Sequence, residues 1–389
     1  MDRWHLTLGL ALLTLGAAAL APRLLPSLAD GSRIADVEVP VVAEPPAVVD
    51  VIEPAVPRQI DVVLAIDTSG SMDDLIDSVR ARLWDIVNTI DAEDPEATLR
   101  VGLLAFGSPA YGEENAYVTI VSPLTDDLDA LYTSVFALDT TGGDEFVGST
   151  IQVAMSGLDW APTQQPDDRR LLFVAGNEGA TQGPIDPFAM AQEAHANGIV
   201  VSTLFAGDHA AGVQSGWQTV AQHGGGKYLA IDMEDSARAV AATPYDQRIQ
   251  ELNRALNGTY VAYGEAGADK LAELKDNDAR AQRMGVGALA GRAAAKGGKK
   301  FKTASWDLVE AVEADASVLD RLSGAQLPAE LQGLSKADQK VEVQKMATKR
   351  KATKAQLKQL AEQRRAHLQA GPQEEGLDKK MAEAMADLL

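Results

Sequence analysis

Asp67, Ser69 and Ser71 stand at alternate positions directly after an apolar run of strand length, Ile60-Asp61-Val62-Val63-Leu64-Ala65-Ile66. One carboxylate and two hydroxyls, gathered by a turn that Gly70 permits, form an all-oxygen donor set that suits a hard cation such as Mg²⁺. Mg²⁺ keeps several waters, so few protein ligands suffice and an oxygen from another molecule can complete its shell. The same residues suit a plainer role, because Asp and Ser are favoured N-caps and a helical pattern begins at once. Leu75, Ile76, Val79, Leu83, Ile86, Val87 and Ile90 carry that pattern. The apolar run alternates poorly and so reads as a strand buried on both faces of a parallel sheet, and ligands of such sheets sit at the strands' carboxyl ends.

Other chemistries lack their residues. The 389-residue chain has no Cys, which removes disulfides, thiolate zinc sites and Cys nucleophiles together. Its five His are scattered, with no H-E-x-x-H pair. A serine hydrolase needs G-x-S-x-G, which Thr68-Ser69-Gly70-Ser71-Met72 does not supply. A phosphatase with a second Asp two residues after the first is excluded by Ser69. The expectation is a binding protein, not an enzyme.

Asp67-Thr68-Ser69-Gly70-Ser71 resembles the metal-ion-dependent adhesion site motif of von Willebrand factor type A domains, and the surrounding sequence supports the resemblance over roughly residues 58–235. The resemblance implies a Rossmann-like, doubly wound, mostly parallel α/β sheet flanked by helices. It also implies a Mg²⁺ ion (or Mn²⁺ or Ca²⁺) shared with the acidic side chain of a protein partner. A second loop, Asp139 to Glu145, then contributes a ligand; Thr141 is the equivalent of the family's Thr, with Asp144 as its rival. In a third loop many relatives place an Asp where this chain has Asn177, so a neutral acceptor replaces a charge and Glu178 is the alternative donor. The T-G-G-x-D order of the second loop and the phrase from Phe173 to Gly183 are similar to an exported bacterial branch of these domains.

The elements that must position these loops follow in order. Arg100–Phe106, Arg170–Gly176 and Ile199–Phe205 read as buried strands, Tyr117–Val121 as an edge strand and Lys227–Ile231 as the last strand. Helices are expected from Thr125 to about Leu138, Val147 to Trp160, Phe188 to Asn197 and Trp217 to Gln222, with Gly198 as a cap. Trp160 and Trp217 read as packing residues rather than binding aromatics. Strands each followed by a helix specify a doubly wound α/β domain over residues 60–240.

The flanks differ in character. Residues 1–29 carry a short polar start and the apolar run Leu6–Ala21, a signal peptide or short membrane anchor. Residues 30–59, with Pro40, Pro45, Pro46, Pro54 and Pro57, read as a semi-rigid spacer. An exported protein results, placed in the periplasm, anchored at the inner membrane or at the cell surface. Of the net charge of −21, the whole amount resides in residues 61–243, with 28 acidic against 7 basic side chains. That acidity argues against nucleic-acid binding by this part.

Residues 244–389 read as a mostly helical, partly mobile C-terminal region. Thr259–Gly264 is strand-like, residues 265–300 show little periodicity, and Ser305 is the expected cap of a helix. One long helix covers residues 335–368, opened by a capping-box-like pair, Ser335 and Asp338. It is basic, with 10 Lys and Arg against 3 acids over residues 336–365, and its apolar seam is thin for a coiled coil. That stripe suits acidic lipid, nucleic acid or the chain's own acidic domain. A rival reading follows from it: a scaffold with a vestigial metal site that associates through this basic helix.

Overall fold

The structure, a computed structural model, describes residues 57–231 and 240–370 and, in the tail, 380, 384, 385 and 387–389. The apolar start of the chain and the proline-rich spacer up to residue 56 lie outside the described residues. Among the described residues no helix is long and apolar enough to cross a membrane.

Six strands form one sheet: β1 (Gln59–Asp67), β2 (Thr98–Phe106), β3 (Val118–Thr125), β4 (Arg169–Gly176), β5 (Val200–Ala206) and β6 (Gly225–Ile231). Their order is β3-β2-β1-β4-β5-β6, parallel throughout except for β3, which runs antiparallel at the edge. Strand order reverses direction at β1. The carboxyl ends of β1 and β4 therefore flank the crevice where open α/β sheets hold ligands.

Alternation along β1 divides the interior. Val62, Leu64 and Ile66 face α1 (Asp73–Glu93) and α2 (Leu128–Phe136), whereas Val63 and Ala65 face α3 (Val147–Gly157), α4 (Pro187–Ala196) and α6 (Trp217–His223). A one-residue slip would exchange the two sets. The fold is thus an α/β sandwich of the expected doubly wound kind, followed by a helical C-terminal region.

Local boundaries depart from the sequence reading in four places. Thr125 ends β3 instead of opening a helix; Asp127 caps α2, accepting the Ala130 N–H at 3.1 Å. A short helix, α5 (His209–Gln214), precedes α6, capped by Asp208. Thr259–Gly264 makes no strand beyond a single bridge between Ala262 and Asp307. Asp307 rather than Ser305 caps the next helix, because its carboxylate reaches the Glu310 N–H at 3.0 Å.

The C-terminal region contains α7 (Asp246–Asn257), α8 (Gly267–Met284), α9 (Val286–Gly297), α10 (Leu308–Ala314), α11 (Val318–Arg321) and α12 (Lys336–Ala370). Residues 265–300, which show so little periodicity, form α8 and α9. α9 is buried almost all round by Gly287, Ala288, Leu289, Ala290, Gly291, Ala293 and Ala295. A helix apolar on every side belongs in a core, and small residues let its neighbours come close. A Cβ on Gly291 would stand 3.1 Å from Asp85 of α1, and one on Gly297 would stand 3.2 Å from Leu357 of α12. Leu252, Leu274, Leu289, Ala293 and Leu357 consequently join the same apolar cluster as α1.

Ion pairs finish this packing. Arg292 bridges Asp129 and Asp278, both at 2.7 Å, and lies 4.8 Å above the Trp84 ring. Lys296 reaches Asp278 at 3.0 Å and Asn253 at 2.8 Å. On α12, Arg350 pairs with Asp307 and Arg364 with Asp246 at 3.1 Å. Part of the basic stripe is therefore turned inward onto the chain's own acids.

Candidate metal centre

β1 delivers Asp67, fully buried, to the rim of the sheet. The turn that follows folds back on it: the Ser69 N–H donates to Oδ1 at 2.7 Å and the Ser69 hydroxyl to Oδ2 at 3.2 Å. The capping alternative for Asp67 and Ser69 is not realised, since Met72 occupies the N-cap of α1 and no side chain caps that helix. Both side chains remain at the strand end.

Thr68 secures the motif to its neighbours. Its N–H and its hydroxyl both donate to the Phe106 carbonyl at 2.8 Å, joining β1 to β2. Its own carbonyl accepts the Thr141 N–H at 2.9 Å, which pins the second loop against the first. The Thr141 hydroxyl is in hydrogen-bond contact with Ser108, on a residue that is otherwise exposed. Asp144 is exposed too.

The third loop meets the motif at Ser71, whose hydroxyl accepts from Asn177 Nδ2 at 2.7 Å. Asn177 Oδ1 is buried and has no hydrogen-bond partner. Glu178 is exposed; its carboxylate accepts from Gln182 at 2.6 Å and its backbone carbonyl from Trp217 Nε1 at 2.6 Å. Trp217 is itself buried, and packs beneath the site: a Cβ on Gly176 would stand 2.9 Å from its ring and 3.4 Å from Asp67 Cβ.

The sequence reading passed over Glu145. It is 3% exposed and sits beside Asp67, whose charge acts on it. Gly107 makes room for the pair. It has φ +83°, and a Cβ there would lie 2.6 Å from Asp67 Oδ1 and 3.1 Å from Glu145 Cγ. The available signal was the succession of two acids, Asp144 and Glu145, immediately before an apolar helix. Succession alone does not say which of two neighbours faces inward.

Two carboxyls so close and so dry disfavour their charged forms. Burial pushes Asp67 up to about 6, against the Ser69 hydrogen bonds that favour its anion. Burial, then the charges of Asp67 and Glu178, push Glu145 up to about 8. Among the described residues no three His, Cys, Asp or Glu side chains group as a metal cage, so a cation held here would use hydroxyl and amide oxygens beside the carboxylates. The donor set fits that role. It is all oxygen, it carries negative charge, and it holds one buried acceptor, Asn177 Oδ1, that lacks a partner.

The profile of the von Willebrand factor type A domain matches residues 61–266, which runs past β6 through α7. No curated protein matches the chain. Among solved structures, the chain is similar to the conserved hypothetical protein BatB from Bacteroides thetaiotaomicron, with 18% identity over 44% of this chain and 90% of that one, and a TM-score of 0.35. It is also similar to the von Willebrand factor domain of the type V pili tip protein Mfa5 from Porphyromonas gingivalis, with 13% identity, coverage of 47% and 93%, and a TM-score of 0.34. The pilus adhesin SpaC from Lactobacillus rhamnosus GG shares 16% identity over 48% of this chain and 29% of its own, with a TM-score of 0.35.

Proposed function

From the premise that the chain belongs to the von Willebrand factor type A domain family, we propose that it is a non-enzymatic, divalent-cation-dependent protein-binding module of the bacterial cell envelope. Asp67, Ser69 and Ser71 hold a Mg²⁺-type ion, with Mn²⁺ or Ca²⁺ as substitutes. The loops carrying Thr141 and Asp144, and Asn177 and Glu178, close round it. An acidic side chain from a protein partner supplies a further oxygen. Residues 1–29 serve export or anchoring and residues 30–59 hold the domain off the membrane.

The observation that carries this reading is a pair of buried carboxyls, Asp67 and Glu145, at the end of the strand where the sheet reverses order, with the partnerless Asn177 Oδ1 on the loop that meets Ser71. When bound, the ion supplies concentrated positive charge. The chain's own residues do the rest: Ser69 orients the Asp67 carboxylate, Thr68 locks the second loop, and Asn177 holds the Ser71 hydroxyl in place. The scaffold alternative would draw on the exposed lysines of the basic helix, since Arg350 and Arg364 are buried against Asp307 and Asp246.

Calorimetric titration of the full chain with Mg²⁺ and Mn²⁺ tests the proposal, beside Asp67→Ala. Saturable binding by the wild type that Asp67→Ala abolishes is expected, and any acidic partner should be released by chelator. Equal uptake by both proteins, or none by the wild type, refutes it.

A further inference from the structure

We infer that Glu145, rather than Thr141 or Asp144, is the side chain through which the second loop holds the cation, taking over the negative charge that Asn177 lacks. This rests on the reading above that a divalent ion occupies the cluster.

Placement separates the three candidates. Thr141 is engaged elsewhere: its N–H donates to the Thr68 carbonyl, and its hydroxyl shares a hydrogen bond with that of Ser108. Asp144 is exposed. Glu145 alone of the three is buried, and its Cγ lies with Asp67 Oδ1 against the same face of Gly107. Its backbone is held as well, since its N–H donates to Gln182 Oε1 at 3.4 Å and the same Gln182 side chain donates to Glu178. One amide thus ties the second and third loops together at the rim.

The space for Glu145 is built in. Gly107 offers a side-chain-free wall against which Asp67 Oδ1 and Glu145 Cγ both lie, and Gly143 lets the loop's backbone come up to the Gly107 carbonyl. Two carboxyls placed side by side without a cation repel when both are ionised. A hard divalent ion relieves that repulsion, and a carboxylate binds it more strongly than a hydroxyl does. Asn177, across the rim, brings only a neutral oxygen. With Asp67 and Glu145 the site has two formal negative charges, the number it would hold with Asp at position 177 and Thr from the second loop.

The exchange can be reversed by mutation. Mn²⁺ uptake by the full chain is followed through the free-ion paramagnetic resonance signal for wild type, Asp67→Ala, Glu145→Gln, Thr141→Ala, Asp144→Asn and the double variant Glu145→Gln with Asn177→Asp. Glu145→Gln should weaken binding by about ten- to a hundredfold, the scale on which metal sites lose affinity when a supporting group is removed. Thr141→Ala and Asp144→Asn should each change it by less than about threefold, well inside that scale. The double variant should regain most of the affinity, which a merely structural role for Glu145 would not allow. Melting curves in chelator report that each variant is folded.

Glu145→Gln binding like the wild type overturns the inference, as does an equal loss in Thr141→Ala or a double variant that stays as weak as Glu145→Gln. If the wild type binds and Asp67→Ala does not, such a result removes Glu145's role and leaves the cation reading standing. Wild type without Mn²⁺ uptake removes both.

Discussion

Two buried charge clusters in this molecule are built on opposite plans. At the sheet rim Asp67 and Glu145 face each other with no basic side chain prominent among their neighbours, and burial lifts both. Behind α1, Asp278 is also largely buried, yet it receives Arg292, Lys296, Asn253 and Asn257. Burial alone would raise its carboxyl, but Lys296 and Arg292 outweigh that and hold it well below the usual carboxylate range. Under the proposed cation reading, the first cluster takes its counter-charge from outside. The second is complete, and its product is rigid packing of α7, α8 and α9 against the sheet domain.

That contrast makes its sharpest claim about mutation. Asp278→Ala should destabilise the chain by about 3–5 kcal/mol in urea unfolding, because it strands Arg292 and Lys296 as buried, uncompensated cations. Asp67→Ala measured the same way in chelator should cost far less and can stabilise, since it removes one of two repelling carboxyls. If Asp67→Ala in chelator proves the more damaging, the contrast is wrong.

Adding the ion should reverse the ranking at the rim. At a hundred times the dissociation constant, Mn²⁺ should stabilise the wild type by about 2.7 kcal/mol and Asp67→Ala by nothing. Thermal melts with and without metal read this directly.

Acid and base should pull the two clusters apart. For Asp278 the folded value lies below the unfolded one of about 3.9, so its contribution is fully present above about pH 4 and is lost as pH falls below that. For Asp67 and Glu145 the folded values, about 6 and about 8, lie above their unfolded ones. Between about pH 4 and 8 the folded chain binds the more protons, so in chelator stability should decline as pH rises. Saturating Mn²⁺ should flatten that decline. Glu145→Gln should shrink it.

The smallest effect belongs to neither cluster. Lys345 and Glu342 pair at 3.2 Å on the outward side of α12, with side chains 67% and 42% exposed. Lys345→Ala should move stability by no more than about 0.5 kcal/mol in the same urea assay. A larger loss would mean that this surface is packed against something.

What the sequence disclosed tracks how local the determining physics is. β1 and α1 were legible because an unbroken apolar run and a 3.6-residue stripe each follow from a single burial pattern. Asp67 and Ser69 were legible as a pair because two residues of separation is the span of the turn itself. Glu145 was not, since its neighbour Asp144 is chemically similar and the Gly107 wall beside which it is buried lies nearly forty positions earlier. α9 was missed for a related reason. A helix of Gly and Ala buried on all sides has no stripe to detect, and Arg292 and Lys296 look like surface residues until their partners Asp129 and Asp278 are found in α2 and α8. The caps at Asp127 and Asp307 were displaced by two residues from Thr125 and Ser305, because Asp and Thr or Ser compete for that position on nearly equal terms.

α1 begins two residues after Ser71, and its later turns are gripped from behind, Asn88 by the Gly291 carbonyl at 2.9 Å and Asp91 by the Lys299 N–H at 3.0 Å. A helix of 21 residues is a rod of about 30 Å. Load applied at the rim end of this rod would therefore pass to the C-terminal helices that hold its far end.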